Sequence, residues 1–156
     1  MAATLEGEFC VFLIGMRINR PLKIHKWLPV AMAMPRMLRE LAADKDLGLL
    51  GSHLWFGRTI ISLQYWRSAR HLTDYAANRN RKHLPAWAAF TRAVGDSGDV
   101  GIWHETYIVK PGSYETIYHN MPLFGLGRAG TLTAATGRYQ SATDRMNASP
   151  PPTTGQ

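Results

Sequence analysis

An apolar segment near the start of the chain, EFCVFLIGMRI at residues 8–18, constrains the fold more than any other part of the sequence. Its β-branched and aromatic side chains follow one another almost without polar interruption, which predicts a strand buried on both faces. The chain can bury such a strand without a disulfide or a metal, because 46% of its 156 residues are hydrophobic. Each face of this strand therefore needs a covering layer.

The remaining segments follow in an order that predicts an α+β fold. In chain order, they are a helix at 29–43, hairpin strands at 48–56 and 59–66, a helix that begins after Ser68 and resumes at 84–94, and strands at 100–109 and 114–120. Pro35 lies inside the first helix and is expected to kink it or to mark its true beginning. Together with the first strand, this order is a ferredoxin-like βαββαβ arrangement with an added C-terminal strand.

The same pattern predicts the oligomeric state and the domain boundaries. A sheet of this kind carries helices on one face, so its apolar second face must be covered in another way. Two such sheets placed face to face make a dimeric α+β barrel, and we therefore expect a homodimer. We assign residues 8–128 to the barrel domain, residues 1–7 to an N-terminal arm and residues 129–156 to a disordered polar tail.

Cysteine usage and hydropathy indicate the compartment. The single cysteine, Cys10, lies in the apolar strand without a partner for a disulfide, and the N-terminal MAATLEGE lacks the basic region of a signal peptide. The longest apolar stretch, residues 9–16, is too short to span a bilayer. We therefore expect a cytoplasmic protein with no membrane partner.

The charge and the missing motifs narrow the range of functions. A net charge of +7 suggests nucleic acid, but the basic residues are scattered and no nucleic-acid-binding motif is present, so we expect no nucleic-acid partner. The sequence also lacks a phosphate-binding glycine loop, a dinucleotide fingerprint, CxxC or HExxH metal spacing and a GxSxG elbow. These absences argue against a hydrolase or a nicotinamide-dependent enzyme.

Two stretches carry a family resemblance. YWRSARHLTDYA followed by HLPAWAAF resembles the strand-to-helix junction of small dimeric α+β barrel proteins, and HETYIVKPGSYETIYHNMP resembles the C-terminal motif of a monooxygenase-like family of that superfamily. This family is similar, more remotely, to the haem-containing phenylacetaldoxime dehydratases. The resemblance implies a pocket between helices and sheet for a small-molecule substrate. It also implies either haem bound through a histidine or cofactor-free oxidation of quinol-like or anthrone-like substrates.

Strand alternation makes His104 the first candidate for a site residue. Along residues 100–109 every second side chain shares a face, so His104 lies in a largely apolar row with Ile102 and Thr106. A neutral imidazole between apolar walls can ligate haem iron, whereas the structural alternative is a core histidine bonded to a backbone or hydroxyl group. We predict His104 as the metal ligand, with Trp103, Ile102 and Thr106 as contacts of the cofactor.

The other candidate catalytic residues are His119, His53, Arg17, Ser62 and Glu105. His119 is the predicted distal acid–base partner, unless it is a surface residue near a strand end. Two glycines beside His53 leave room for a flat ligand, although a β-bulge explains them more simply. Arg17 could contact a haem propionate, or it could only extend its charged end to solvent from the end of the buried strand. Ser62 could contact a ligand inside the pocket. Glu105 could orient a histidine or form a structural ion pair.

The sequence leaves three functions open. The first is a small haem enzyme with aldoxime-dehydratase-like or oxygenase-like chemistry on a small apolar or aromatic substrate. The second is a cofactor-free monooxygenase in which a pocket histidine, His104, deprotonates the substrate. The third is a dimeric ligand-binding protein without catalytic activity, for which removal of His104 would change no turnover.

Overall fold

The computed structural model describes residues 1–78, 88, 90–91 and 94–148. Its strands are β1 (Ala2–Thr4), β2 (Phe9–Ile18), β3 (Leu49–Trp55), β4 (Thr59–Trp66), β5 (Val100–Val109) and β6 (Thr131–Thr133), and its helices are α1 (Ile24–Ala43), α2 (Ala69–Ala77), α3 (Leu126–Ala129) and α4 (Ala142–Asn147). The predicted continuation of the second helix at 84–94 lies largely outside the described residues, and residues 149–156 lie outside them entirely.

Four strands form one antiparallel sheet in the order β3-β4-β2-β5. This is the order of a ferredoxin-like fold, so the predicted α+β class is confirmed. Strand β2 pairs along its length with both β4 and β5, which explains why its sequence is apolar on both sides. A short strand that the sequence did not predict, β6, pairs with β1 in a separate two-stranded sheet.

The helices cover one face of the sheet. On that face Cys10 packs with Leu41 of α1 and Leu72 of α2, while Met16 and Ile18 pack with other residues of α1. The side chain of Ser68 accepts a hydrogen bond from the amide of His71, so Ser68 is the N-cap of α2 as predicted. The alternation along β2 thus places its even-numbered residues toward the helices.

Helix α1 begins at Ile24, earlier than the predicted start at 29, and it continues through Pro29 and Pro35. Each proline removes one backbone donor from the helix. Leu41 is buried and Trp27 packs against the core, so tertiary packing outweighs both prolines. Within the described residues, none of the helices combines the length and the apolarity needed to cross a membrane.

The segment 114–120 is not the strand that the sequence predicts. It runs beside the N-terminal arm, where Thr116 Oγ1 accepts a hydrogen bond from the Ala3 amide (2.6 Å) and Tyr114 Oη accepts one from the Leu5 amide (2.9 Å). Met1 and Tyr118 exchange backbone hydrogen bonds, but at Ala3 and Leu5 side-chain hydroxyls replace the carbonyl acceptors of a sheet ladder. The aromatic and β-branched residues of this segment pack on a face of the sheet and do not form a further strand at its edge.

A second layer covers part of the sheet face that points away from the helices. Phe9 of β2, Ala3 of β1 and Leu126 of α3 are buried in one cluster. The disorder predicted from residue 129 onward does not describe residues 131–148, because β6 pairs with β1 and Arg145 of α4 forms an ion pair with Glu115 at 2.7 Å. The domain limits at 8 and 128 themselves stay a prediction.

Candidate functional site

His104 lies on the helix-facing side of strand β5. It is directly opposite Ile14 of β2, and its neighbours on the same side, Ile102 and Thr106, are opposite Met16 and Phe12. The ring centroids of Phe12 and His104 are 5.7 Å apart, with the rings tilted at 45°. The strands thus bring together three of the predicted residues, His104, Ile102 and Thr106.

Along the middle of strand β5, the side chains on this side of the sheet are exposed. His104 and Thr106 are exposed, and Ile108, the next residue of the same row, is 58% exposed. Phe12 and Ile14 are half-buried beside them. We call Phe12, Ile14, Ile102, His104 and Thr106 the His104 surface; it offers one imidazole and one hydroxyl over a largely apolar floor.

Ser62 lies on the same face, on the other side of the central strand. It is opposite Ile14 through the pairing of β2 with β4, so Ser62 and His104 flank Ile14 from strands about 10 Å apart. Ser62 is 1% exposed, and its Oγ accepts a hydrogen bond from Gln64 Nε2 at 3.2 Å. The Gln64 amide oxygen in turn accepts a hydrogen bond from Trp66 Nε1 at 2.9 Å.

Gln64 belongs to this polar row but is not among the predicted site residues. Gln64 is 3% exposed, and its amide also contacts the sulfur of Met34 at 3.6 Å. The alternation in ISLQYW places Ser62, Gln64 and Trp66 on one face, and that pattern was the available signal. These buried polar side chains of β4 therefore border the apolar floor on the side away from β5.

Trp103 and Glu105 face away from His104. Trp103 packs over Gly15 on the opposite side of the sheet, and Glu105 accepts a hydrogen bond from Tyr107 Oη at 2.8 Å. The carboxylate of Glu105 raises the pKa of the Tyr107 phenol by stabilising its protonated form. Because successive side chains of a strand alternate, neither Trp103 nor Glu105 can share the His104 surface.

Arg17 and His53 are also on the face away from the helices. Arg17 is exposed at the end of β2, where its guanidinium donates a hydrogen bond to Thr59 Oγ1 at 3.0 Å. The ring of His53 lies 4.3 Å from that of Trp55 and 4.5 Å from that of Phe124. The β-bulge that we preferred near His53 is present as a register shift between Leu49 and Gly51.

His119 is exposed and belongs to the segment that covers the far side of the sheet. It follows Tyr118, whose hydroxyl accepts a hydrogen bond from the Gly127 amide at 3.0 Å. The structure therefore does not place His119, His53 or Arg17 with His104. The predicted role of His119 assumed that residues 114–120 form a strand of the sheet.

The described residues fit only part of a haem site. The His104 imidazole suits a ligand of haem iron, and the apolar floor suits contact with a porphyrin. Arg17, the predicted contact of a propionate, lies on the wrong face, and no histidine of another described strand shares the face of His104. In the described part of the chain, no group of three histidine, cysteine, aspartate or glutamate residues is arranged to hold a metal ion.

Comparison with known proteins identifies the family. The model of the family described as monooxygenase af470-like matches residues 9–126, which include the whole four-stranded sheet. The chain belongs to the monooxygenase af470-like family. The monooxygenase-like family predicted from the C-terminal motif is thereby confirmed.

A sequence relative of this af470-like protein is monooxygenase af470 of Aspergillus fumigatus. The two are 28% identical over 132 residues, which are 79% of this chain and 46% of the relative. The chain therefore spans about half the length of that relative.

Among solved structures, the fold is similar to that of an aldoxime dehydratase, OxdRE, in complex with butyraldoxime. The TM-score is 0.59 at 12% identity, over 73% of this chain and 35% of the dehydratase. A second similar structure is SnoaB, a cofactor-independent oxygenase from Streptomyces nogalater, with a TM-score of 0.46 and 12% identity over 74% of this chain and 98% of SnoaB. The predicted likeness to aldoxime dehydratases is confirmed for the fold.

Proposed function

We propose that this af470-like protein is a monooxygenase that oxidises a small apolar or aromatic substrate at the His104 surface without a cofactor. The observation that carries the proposal is the position of His104, whose imidazole stands beside Phe12 above the half-buried Ile14. A base at the edge of an apolar floor suits a substrate whose acidic C–H bond must be brought to one proton acceptor. Family membership supports the oxygenase class.

In the proposed reaction His104 acts as the base. Its imidazole takes a proton from an activated CH₂ group of an anthrone-like substrate, which leaves a carbanion. The carbanion is oxidised by dioxygen and forms a carbon–oxygen bond, giving a peroxide that receives the proton back from the imidazolium. Loss of water from the peroxide breaks the O–O bond and the remaining C–H bond. The sum is CH₂ plus O₂ giving C=O plus H₂O.

Other residues of the face would bind and orient the substrate. The ring of Phe12 offers a face on which an aromatic substrate can stack. Thr106 supplies an exposed hydroxyl one place along the same row from His104. Ser62 and Gln64 are already hydrogen-bonded to each other, so they would hold the floor in place rather than react.

Haem chemistry is the second candidate. It is favoured by the similarity of the fold to an aldoxime dehydratase at a TM-score of 0.59. His104 would then hold the haem iron, Ile102 and Thr106 would contact the haem, and haem would supply an iron centre for dehydration or for dioxygen chemistry. We rank it second because Arg17, His53 and His119 do not share the face of His104.

We further propose a homodimer, formed through the sheet face opposite His104. Leu13 of β2, Ile61 and Leu63 of β4 and Trp103 of β5 lie on this face, and Trp103 is 41% exposed. A second copy that brings the same face would bury these side chains. We also propose a cytoplasmic location, since Cys10 is a buried free thiol.

The test separates the three functions with one set of proteins. Dioxygen uptake with anthrone is measured for the unchanged protein, for His104→Ala and for His119→Ala as the matched control. The proposal expects uptake that falls at least about 100-fold in His104→Ala and stays unchanged in His119→Ala. Absorption spectra during hemin titration run in parallel.

Each alternative has its own result. A sharp Soret band that saturates with hemin and disappears in His104→Ala would favour the haem enzyme over the cofactor-free one. Binding of anthrone without oxygen uptake in any sample, and without a Soret band, would favour the ligand-binding protein. Equal uptake by both variants would refute a role of His104 as the base.

A further inference from the structure

The N-terminal half of α1 carries apolar side chains on its exposed surface. Ile24, Leu28 and Met32 are 55%, 44% and 40% exposed, and Leu22, just before the helix, is 97% exposed. Residues four apart lie on one side of a helix, so the three helical residues form a stripe about 12 Å long. We call Leu22, Ile24, Leu28 and Met32 the α1 patch. Contiguous exposed apolar surface of this kind marks a contact site.

Basic residues surround the α1 patch in the sequence. No acidic residue occurs between Glu8 and Glu40, a stretch that contains all of β2 and most of α1. Arg20 and Lys23 precede α1, and Lys26, Arg36 and Arg39 lie on it, whereas Arg17 faces away from the helices. Part of the net charge of +7 therefore lies close in sequence to an exposed apolar stripe.

The carboxylate of Asp99, just before β5, lies beside the basic residues that precede α1, but it is buried and does not make the surface there negative. Its carboxylate lies 3.4 Å from Arg20 Nη1 and 3.0 Å from Lys23 Nζ. The side chain of Asp99 is 2% exposed, whereas those of Arg20 and Lys23 are 61% and 41% exposed. Two cations share one buried anion, so solvent meets an excess of positive charge beside Leu22.

We propose that the α1 patch docks the protein on an anionic lipid surface. A helix with an apolar stripe and flanking basic residues lies in the membrane interface with its apolar side chains among the lipids. Each cation near the surface is attracted by anionic headgroups. The helix lies on the side of the sheet opposite to the proposed dimer face, so lipid and a second copy can bind together.

This inference changes one expectation from the sequence. The absence of a membrane partner was expected because the longest apolar stretch, residues 9–16, cannot span a bilayer. A helix that lies on the surface needs no spanning segment. A membrane-bound enzyme would also meet apolar substrates where they dissolve, although the docking itself does not depend on the chemistry of His104.

The experiment is co-sedimentation of the full chain with vesicles of phosphatidylcholine alone and of phosphatidylcholine with phosphatidylglycerol. We expect binding to the anionic vesicles that is at least about tenfold tighter than to the neutral ones and that weakens at high salt. The variant Leu22→Ser/Ile24→Ser should weaken this binding at least about tenfold. The control Ile117→Ser/Leu123→Ser, at residues 55% and 61% exposed elsewhere, should leave it unchanged.

Circular dichroism and size exclusion accompany the sedimentation. Absence of binding by the folded, unchanged protein overturns the proposal, and so does an equal loss in the patch variant and the control. Equal binding to neutral vesicles overturns the part assigned to charge. A change in oligomeric state in the patch variant alone would assign the patch to a contact between copies. His104→Ala should bind vesicles normally, so failure of the oxygenase proposal is recognised separately.

Discussion

The indole ring of Trp103 lies over Gly15, its directly paired residue on the neighbouring strand. A Cβ atom at residue 15 would overlap ring carbons of Trp103 and would come within 2.8 Å of the Ile60 carbonyl oxygen. The ring can turn only at the expense of its packing, and the carbonyl belongs to the ladder of a central strand. The glycine is therefore required by close approach rather than by backbone conformation.

Gly15→Ala should lower the free energy of unfolding by about 1–3 kcal/mol, because overpacking forces neighbouring groups to move. The measurement is urea denaturation followed by circular dichroism. Gly101→Ala is the matched control, since the nearest atoms to a Cβ there are 3.7 and 3.9 Å away, at ordinary contact distance. Similar losses in both variants would contradict this account of Gly15.

Removal of the Gln64 amide should lower the free energy of unfolding, because its buried hydrogen-bond partners would be left unpaired. Gln64→Met keeps a side chain of similar size but leaves the buried Trp66 Nε1 without its acceptor and Ser62 without its donor. The loss in unfolding free energy should be about 1–3 kcal/mol. Adding Trp66→Phe removes the orphaned donor, so the double variant should lose less than the sum of the two single changes. Strict additivity would show that the two side chains are not coupled.

Asp99 should make stability depend on acid pH. The hydrogen bond from Lys23, together with its charge and that of Arg20, holds the pKa of the Asp99 carboxyl below its usual range. A lowered folded-state pKa gives stability that is present above the unfolded value, about 3.9, and that is lost as pH falls through the folded value. Asp99→Asn should therefore be less stable than the unchanged protein at neutral pH, and this deficit should shrink below about pH 4.

Urea midpoints at several pH values between neutral and about pH 3 test this dependence. Asp74→Asn serves as the control, because Asp74 is 70% exposed and its ion pair with Arg70 lies on the surface. A deficit of Asp99→Asn that stays constant over the whole range would exclude ionisation of Asp99 as its cause.

Tyr65 should make stability fall as pH rises in the alkaline range, whereas Asp99 makes it fall as pH drops in the acid range. Burial, reinforced by the nearby hydroxyl of Tyr118, raises the pKa of Tyr65 to about 12, although a hydrogen bond with the Leu126 backbone lowers it in part. The stability that the neutral phenol provides is present below the unfolded pKa of about 10 and is lost as pH rises toward 12. Tyr65→Phe should lose less stability over this interval. An equal loss would place the alkaline transition elsewhere.

The helix-facing half of the fold could be predicted from local patterns. Alternation along residues 100–109 and the apolar run around Cys10 define strands whose partners follow from the order of segments. The start of α1 could not be predicted in this way. Pro29 has the local signature of a helix beginning, whereas the helix starts at Ile24, and Trp27 in its first turns packs against the core. At the start of α1, tertiary contacts therefore outweigh local helix propensity.

Only those site residues that lie on a single strand could be placed together from the sequence. Period-two alternation places Ile102, His104 and Thr106 together, and the structure has them on one face. Joining His119 or His53 to them required knowledge of where other segments lie, and no local signal carries that information. Tyr114 and Thr116 look like strand residues because Tyr114 packs against the apolar cluster around Phe9 and Thr116 hydrogen-bonds the Ala3 backbone.

Pairing of β1 with β6 has a consequence for the order in which a newly made chain acquires its structure. All four strands of the main sheet are available once Val109 has been synthesised, whereas the layer over Phe9 needs Thr131–Thr133 to reach back to Ala2–Thr4. Contacts between such distant parts of the chain form late. During synthesis the sheet would thus exist with its second face bare until Thr131–Thr133 could pair with Ala2–Thr4.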